Sequence, residues 1–318
     1  MNGNGQSFKG VRHGDICTMA YLGPRGTYGE QAAKAFASRY ESSIELIPCP
    51  SISDVYSHPA DLIVLPLENT LQGGVFETLD NILSILTPPS ESSKDAYTRN
   101  RRIVMDLALP IRHCLVVRKG TKLEDIRWVR SHEQALGQSS LFLSEHLPQA
   151  TIQPYPSTAG AAVSLLSPTS EDIAAGPGAA LCSKGIMGLY PDELEVLVEG
   201  TQAIENNFTR FLLLERNHKS PTPLSNHPPN PSPTQFFALR NPSLLVPLLS
   251  NSTPIAIHSR PCPPNSKDER QFPAWYLTEV DVKAGRQQHE GTSAEASAEM
   301  VYLGSTEGRI TPEELAAL

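Results

Sequence analysis

The sequence predicts an α/β fold with helix-covered parallel sheets, and three observations carry that expectation. Strand-like and helix-like segments alternate from about Thr18 to Glu215. Several strand candidates, such as DLIVLPL (61–67), are apolar almost throughout, the pattern of sheets buried on both faces. The segments between them place apolar residues at helical spacing.

Taken in order, the first strand is TMAYLG (18–23). It leads into YGEQAAKAFASRY (28–40), where Ala32, Ala33, Phe36, Ala37 and Tyr40 share one helix face. DLIVLPL precedes VFETLDNILSIL (75–86), whose Val75, Leu79, Ile82, Leu83 and Leu86 do the same. IRHCLVV (111–117) and RWVRS (127–131) read as strands before the helical HEQALGQSSLFLSEHL (132–147). TIQPY (151–155) precedes the helical TAGAAVSLLS (158–167). DIAAG (172–176), EVLVEG (195–200) and FTRFLLL (208–214) complete the strand candidates. TPPSESSKDAYTRNRR (87–102) reads as an exposed loop.

The stretch RNHKSPTPLSNHPPNPSPT (216–234) is rich in Pro, Ser and Asn and reads as a linker. A second unit follows, with strands at QFFALR (235–240), IAIHSRP (255–261) and WYLTEVDV (275–282). KAGRQQHEGTSAEASAE (283–299) is polar and low in complexity, as expected of a loop or hairpin tip.

At 318 residues the chain has room for two or three domains. Its 26 Lys and Arg against 34 Asp and Glu argue against a nucleic-acid partner, which calls for a basic stripe. An anionic ligand must then be held by local donors. No apolar run nears the roughly 18 residues of a membrane span, and MNGNGQSFKGVRHGD lacks the apolar core of a secretory signal. A cytoplasmic location is expected. Cys17, Cys49, Cys114, Cys182 and Cys262 show no paired spacing, so reduced thiols are expected and no metal site.

Three strand-to-helix junctions share one design. Gly26 and Thr27 precede the first helix, with Thr27 and Glu30 spaced as a capping box. Glu68 and Asn69 end a strand before Gly73–Gly74, and Ser131 and His132 stand before a third helix. Helix starts expose unpaired amides at the positive dipole end, and ligands of open α/β sheets bind at the carboxyl ends of strands. The same residues also serve as ordinary caps and turns. In NNFTRFLLL (206–214), Thr209 and Arg210 interrupt a buried run. A buried guanidinium demands an anion, which is Glu68, Glu77 or a substrate.

In their order, GPRGTYGEQAA (23–33), PLENTLQGGVFETLD (66–80), LPIRHCLVV (109–117), SHEQALGQ (131–138), YPSTAGAA (155–162) and NNFTRFLLL resemble the prephenate dehydratases, whose signature is Thr-Arg-Phe. The resemblance covers about two-thirds of the chain. It implies a two-lobed catalytic unit over 17–216, like a type II periplasmic binding protein. Lobe 1 would hold 17–108 and 190–216, and lobe 2 would hold 109–189. A linker over 217–233 leads to a divergent ACT-like regulatory unit of ferredoxin-like α+β type over 234–310. There Ser259, Arg260 and Pro261 match a segment that implies an allosteric phenylalanine site. MVYLGSTE (300–307) resembles the family's final helix-to-end segment. The usual Gly-Ala-Leu is replaced by NPSLLVPLLSNSTP (241–254). Interior prolines cost about 3 kcal/mol each in a helix, so a shortened first helix is expected.

The implied reaction expels the ring hydroxyl of prephenate as water and its ring carboxylate as carbon dioxide, giving phenylpyruvate, with no cofactor. Thr209 would donate a hydrogen bond to the leaving oxygen, and Glu68 would hold or reload that proton. Asn69, Ser131, His132, Gln138, Ser157 and Thr158 would contact substrate, with the amides of Gly26–Thr27 and Gly73–Gly74 facing a carboxylate. Phe211 would line the site. Arg210 would bind substrate or anchor Glu68. The alternatives are arogenate as substrate, or a non-catalytic two-lobed amino-acid binder. A homo-oligomer, dimer or tetramer, is implied, and no fused chorismate mutase is expected ahead of Thr18.

Overall fold

The computed structural model describes residues 17–88, 98–216, 233–250, 252–263, 273–281, 299–310 and 315. Its strands fall into two sheets. The chain starts with β1 (Cys17–Leu22), α1 (Tyr28–Ala37), β2 (Ile44–Cys49), α2 (Ile52–Ser57), β3 (Leu62–Asn69), the short β4 (Gly73–Gly74) and α3 (Phe76–Leu83). Then come β5 (Arg101–Pro110), β6 (Cys114–Arg118), β7 (Trp128–Ser131), α4 (Glu133–Gln138), α5 (Ser140–His146), β8 (Thr151–Pro154), α6 (Thr158–Ser164) and α7 (Ser170–Ala175). β9 (Gly178–Cys182), β10 (Leu194–Glu199) and β11 (Phe208–Arg216) complete the two lobes. β12 (Thr234–Leu239), α8 (Leu245–Leu249), β13 (Thr253–Pro261), β14 (Ala274–Asp281) and β15 (Met300–Ile310) form the C-terminal unit.

The larger sheet has the order β13-β14-β12-β15-β5-β11-β3-β1-β2, with β4 hydrogen-bonded to β3; the smaller runs β10-β6-β9-β7-β8. Both are mixed rather than wholly parallel. β1 is parallel to β2 and β3, and β7 to β8 and β9. β11 is antiparallel to β3 and β5, and β6 to β9 and β10.

The apolar faces read from the sequence are the ones that pack. Ala32, Ala33 and Phe36 of α1 lie against Met19, Tyr21, Val64, Phe211 and Leu213. Burying Phe36 alone contributes about 1.5–3 kcal/mol. On the opposite face, α2 and α3 cover Ile63, Leu65, Leu67, Leu212 and Leu214. That core continues into the C-terminal unit through Phe236, Ala238, Trp275, Leu277 and Leu303.

Several expectations change. DIAAG is the end of α7, not a strand: Thr169 and Asp172 form a capping box, and Gly176, at φ +98°, closes the helix. β2, β5 and β9 do not appear among the strands expected. The expected loop 87–102 lies outside the described residues at 89–97, but its end is structural. Arg101 opens β5, is buried, and donates to the His58 and Ala60 carbonyls. β10 pairs with β6, so Leu194–Glu199 belong to the second sheet and the chain returns to the first only at β11. MVYLGSTE lies within strand β15, which runs parallel to β5 and fuses the C-terminal unit to the first sheet. α8 is short, five residues after a 3-10 turn over Pro242–Leu244. Most of the expected linker and nearly all of 283–299 lie outside the described residues.

Candidate active site

Thr209 and Asn69 face each other across the β3–β11 ladder. Asn69 Nδ2 donates to Thr209 Oγ1 at 3.0 Å, sharing its two protons with Asn207 Oδ1 at 2.8 Å and the Phe208 carbonyl at 3.0 Å. Asn69 Oδ1 accepts from the Leu71 and Gln72 amides at 2.9 and 3.2 Å. The side chain is therefore held from both ends in one orientation. Because an amide nitrogen only donates, Thr209 accepts here, and its own hydroxyl proton stays available to another acceptor.

The network continues into the second lobe. Asn207, fully buried, donates to Gln138 Oε1 at 2.9 Å, and His113 Nε2 meets the same oxygen at 2.9 Å. His113 Nδ1 lies 3.1 Å from the Tyr28 hydroxyl, which donates to the Arg112 carbonyl at 2.7 Å. Burial pulls the His113 imidazole below its ordinary 6.5, against the opposing effect of the Gln138 bond, and burial pushes the Tyr28 phenol well up. Both are held toward their neutral forms. The lobes also meet where Gln31 Nε2 donates to Ser183 Oγ at 2.5 Å and that hydroxyl donates to the Gly26 carbonyl at 3.0 Å.

The next rung of the ladder is charged and faces the other way. Successive side chains of a strand alternate between faces. The register shift between Arg210 and Phe211 sets Glu68 opposite Arg210. Arg210 bonds Glu68 at 3.2 Å, Asp106 at 2.9 Å and Glu279 at 2.7 Å. Burial pulls its guanidinium down, but the charges of Glu279 and Asp106 and the bonds to Glu279 and Glu68 outweigh that and hold it well above its usual range. Glu279 is 0% exposed. Burial pushes its carboxyl up, and the His258 bond and Arg210 charge still hold it below the ordinary carboxylate value.

The sequence-expected residues divide accordingly. Asn69, Thr209 and Gln138 come together. Glu68 does not join Thr209; its carboxylate is turned to Arg210. Ser131 is buried and spends its hydroxyl on the Leu181 carbonyl at 2.5 Å. The Gly26 amide donates to the Glu30 carboxylate at 2.5 Å, so that helix start already holds an anion from its own chain. Thr27 does cap α1, accepting from the Glu30 amide, but Glu30 reaches Gly26 rather than completing the expected box. Gly73 and Gly74 pair with Asn69 and Glu68, next to the site. Ser157 caps α6 and His132 caps α4; Thr158 opens α6 and is half-buried. Phe211 is core, packed with α1. Arg260 pairs with Asp80 at 2.6 and 2.9 Å and lies over Phe76; Ser259 and Pro261 are exposed on β13. His113, Asn207 and Tyr28 were not singled out. The adjacent Asn206–Asn207 pair was the one available signal, since two amides before a buried strand must find partners.

No group of His, Cys, Asp and Glu among the described residues is arranged to hold a metal ion. No described helix is long and apolar enough to cross a membrane.

Known proteins resemble this chain in sequence and in fold. The chain is 33% identical over 210 residues to arogenate dehydratase 5, chloroplastic, of Arabidopsis thaliana, covering 64% of this chain and 43% of that protein. It is 33% identical over 208 residues to a bifunctional chorismate mutase/prephenate dehydratase of Enterobacter agglomerans, covering 64% and 48%. The chain thus spans less than half the length of these two relatives. In fold it resembles the crystal structure of prephenate dehydratase from Arthrobacter aurescens in complex with L-Phe. The TM-score is 0.66 at 25% identity over 93% of this chain and 91% of that one. The sequence profile of the prephenate dehydratase family matches residues 19–219, the span that contains Asn69, Gln138 and Thr209, and the chain belongs to that family.

Proposed function

We propose that this chain converts prephenate to phenylpyruvate, water and carbon dioxide in phenylalanine biosynthesis. One observation carries the reading: Asn69 donates to Thr209 Oγ1, so the threonine proton is free to be donated from the end of a neutral, amide-rich network. In the reaction the bond to the ring carboxylate breaks, its electron pair aromatises the ring, and the carbon–oxygen bond at the opposite ring position opens. The departing oxygen takes up a proton and leaves as water. Aromatisation supplies the driving force, so orientation and one well-aimed donor suffice.

Thr209 gives that hydrogen bond, and Asn69 fixes its rotamer. Glu68 faces Arg210 on the other side of the ladder, so we assign solvent, rather than Glu68, as the source of the consumed proton. Gln138, Thr158, Ser157, His132 and the amides at Thr27 and Gly73–Gly74 remain the candidate contacts for substrate. Arg210 is an anchor, because three carboxylates already occupy it.

The second reading is arogenate as substrate, favoured by the 33% identity to the Arabidopsis arogenate dehydratase. Product formation from each substrate, supplied separately and then in competition, decides between them. Turnover of neither would overturn both. We assign the C-terminal unit as a divergent ACT-like regulatory unit, with L-phenylalanine as its ligand. The L-Phe-bound Arthrobacter structure supports this. Calorimetry with phenylalanine tests it. The same reading makes the enzyme a cytoplasmic homo-oligomer, which cell fractionation and light scattering would check.

A further inference from the structure

Catalysis at Thr209 uses one side of the β3–β11 ladder. The other side carries an ion cluster that reaches into the C-terminal unit. Arg210 Nη1 bonds Glu279 Oε2 at 2.7 Å, and His258 Nε2 lies 3.3 Å from the other Glu279 oxygen. Glu279 is on β14 and His258 on β13, so two strands outside the two lobes converge on the residue next to Thr209. His258 also lies against β4: a Cβ placed on Gly74 would come within 3.5 Å of its Nδ1. Gly74 and Gly73 pair with Glu68 and Asn69. The C-terminal unit therefore touches the catalytic ladder at Arg210 and at Gly74.

We propose that Glu279, supported by His258, is a positioning residue for Thr209, acting through the Arg210 guanidinium. The inference rests on the dehydratase reading, since it needs a reaction at Thr209. The physical reason lies in the register. The β3–β11 register shifts between Arg210 and Phe211, where Leu67 is an extra residue on β3, and a slip of one residue would send every side chain beyond it to the other face. Arg210 and Glu68 form the rung beside Thr209 and Asn69. A guanidinium bonded to Glu68 on one strand, Asp106 on β5 and Glu279 in the C-terminal unit ties that rung across three strands. With Glu279 in place, the Thr209 hydroxyl and the Asn69 amide stay on a common face at 3.0 Å. Loss of the Glu279 charge leaves Arg210 with two carboxylates, so the rung loosens without leaving a buried cation bare.

The experiment is Glu279→Gln in the full chain, beside Asp80→Asn. Asp80 of α3 docks the same unit through Arg260 without touching the ladder. Expected for Glu279→Gln is a kcat about tenfold lower with KM within about twofold, since small misplacements cost rate rather than affinity. Asp80→Asn should stay within about twofold in both. An unchanged kcat in Glu279→Gln, or an equal fall in Asp80→Asn, overturns the proposal. Should Glu279→Gln fail to fold, His258→Asn is expected to give the same split with about a threefold fall in kcat, and no change there overturns it. A second readout is independent of turnover: the Thr209 methyl resonance in threonine-labelled protein, identified with Thr209→Val. It should move in Glu279→Gln and hold still in Asp80→Asn; the reverse, or no movement, refutes the coupling. If the wild type turns over neither prephenate nor arogenate, the dehydratase reading fails by itself, and the methyl resonance still decides whether Glu279 positions Thr209.

Discussion

Replacing Arg210 with Met removes a charge and keeps most of the stem, which isolates what the guanidinium does. In the wild type it faces Glu279, 0% exposed, and Asp106, 2% exposed, with the half-buried Glu68 on its rim. Met leaves Glu279 with His258 alone. Asp106 loses the guanidinium that bonds it at 2.9 Å. Breaking a buried pair by removing one partner costs about 3–5 kcal/mol, because the remaining charge is stranded. For a domain of this size each kcal/mol moves the melting temperature by about 2–4 °C, so a fall on the order of 10 °C is expected. Thermal unfolding followed by circular dichroism, with urea titration at 25 °C, measures it. At low temperature, where the variant is folded, an anchoring role for the guanidinium predicts a KM within about twofold of wild type. A variant with wild-type stability and a KM raised tenfold would refute this reasoning and make Arg210 a substrate-binding residue.

Thr209→Val is nearly isosteric and should lower kcat at least about tenfold while leaving KM nearly unchanged, the signature of an interaction made in the transition state; steady-state kinetics would show it. Asn69→Asp substitutes an acceptor for the amide donor, so the Thr209 proton should turn to the new carboxylate and kcat should fall by about 10². Only recovery of activity at low pH, as the carboxyl takes a proton, fits this account. Burial lowers the His113 pKa from 6.5. Below pH 6.5 the unfolded chain therefore binds a proton that the folded chain refuses. Stability from this residue is full above pH 6.5, falls as the pH drops from there toward the folded value, and then levels off. Urea midpoints from pH 8 to 5 should show that slope in the wild type and a shallower one in His113→Gln.

How much of this the sequence disclosed follows from the range of the forces involved. Thr209 and Asn69 came forward as site residues through the family resemblance, whereas their facing each other is a matter of strand register, which no local signal carries. The cap at Thr27 was legible because capping involves only a few neighbouring residues. The partner of Arg210 was open between Glu68, Glu77 and substrate, because pairing across strands depends on a register that one residue of bulge can reset. Glu77 in fact bonds Ser53. Glu279 stands 69 residues beyond Arg210 and meets it only because β15 lies parallel to β5, a pairing with no sequence signature. DIAAG misled because its apolar residues suit either state, whereas the Thr169–Asp172 capping box three residues earlier decides for the helix.

The separation of charge from chemistry at this ladder has a consequence for a doubly negative substrate. Thr209, Asn69, Asn207, Gln138 and His113 form a connected network of neutral donors and acceptors, with the burial of His113 favouring its uncharged form. Glu68 is the carboxylate adjacent in sequence to Asn69. Were it to share the face of Thr209, two like charges about 4 Å apart at an effective dielectric near 20 would repel by about 4 kcal/mol, roughly a thousandfold in affinity. Arg210 draws that carboxylate to the opposite side, where its Nε and Nη1 also bond Asp106 and Glu279. On the dehydratase reading, the acid-base role that the resemblance implied for Glu68 gives way to an electrostatic one: the arginine of the Thr-Arg-Phe triplet keeps negative charge off the face where the threonine would work.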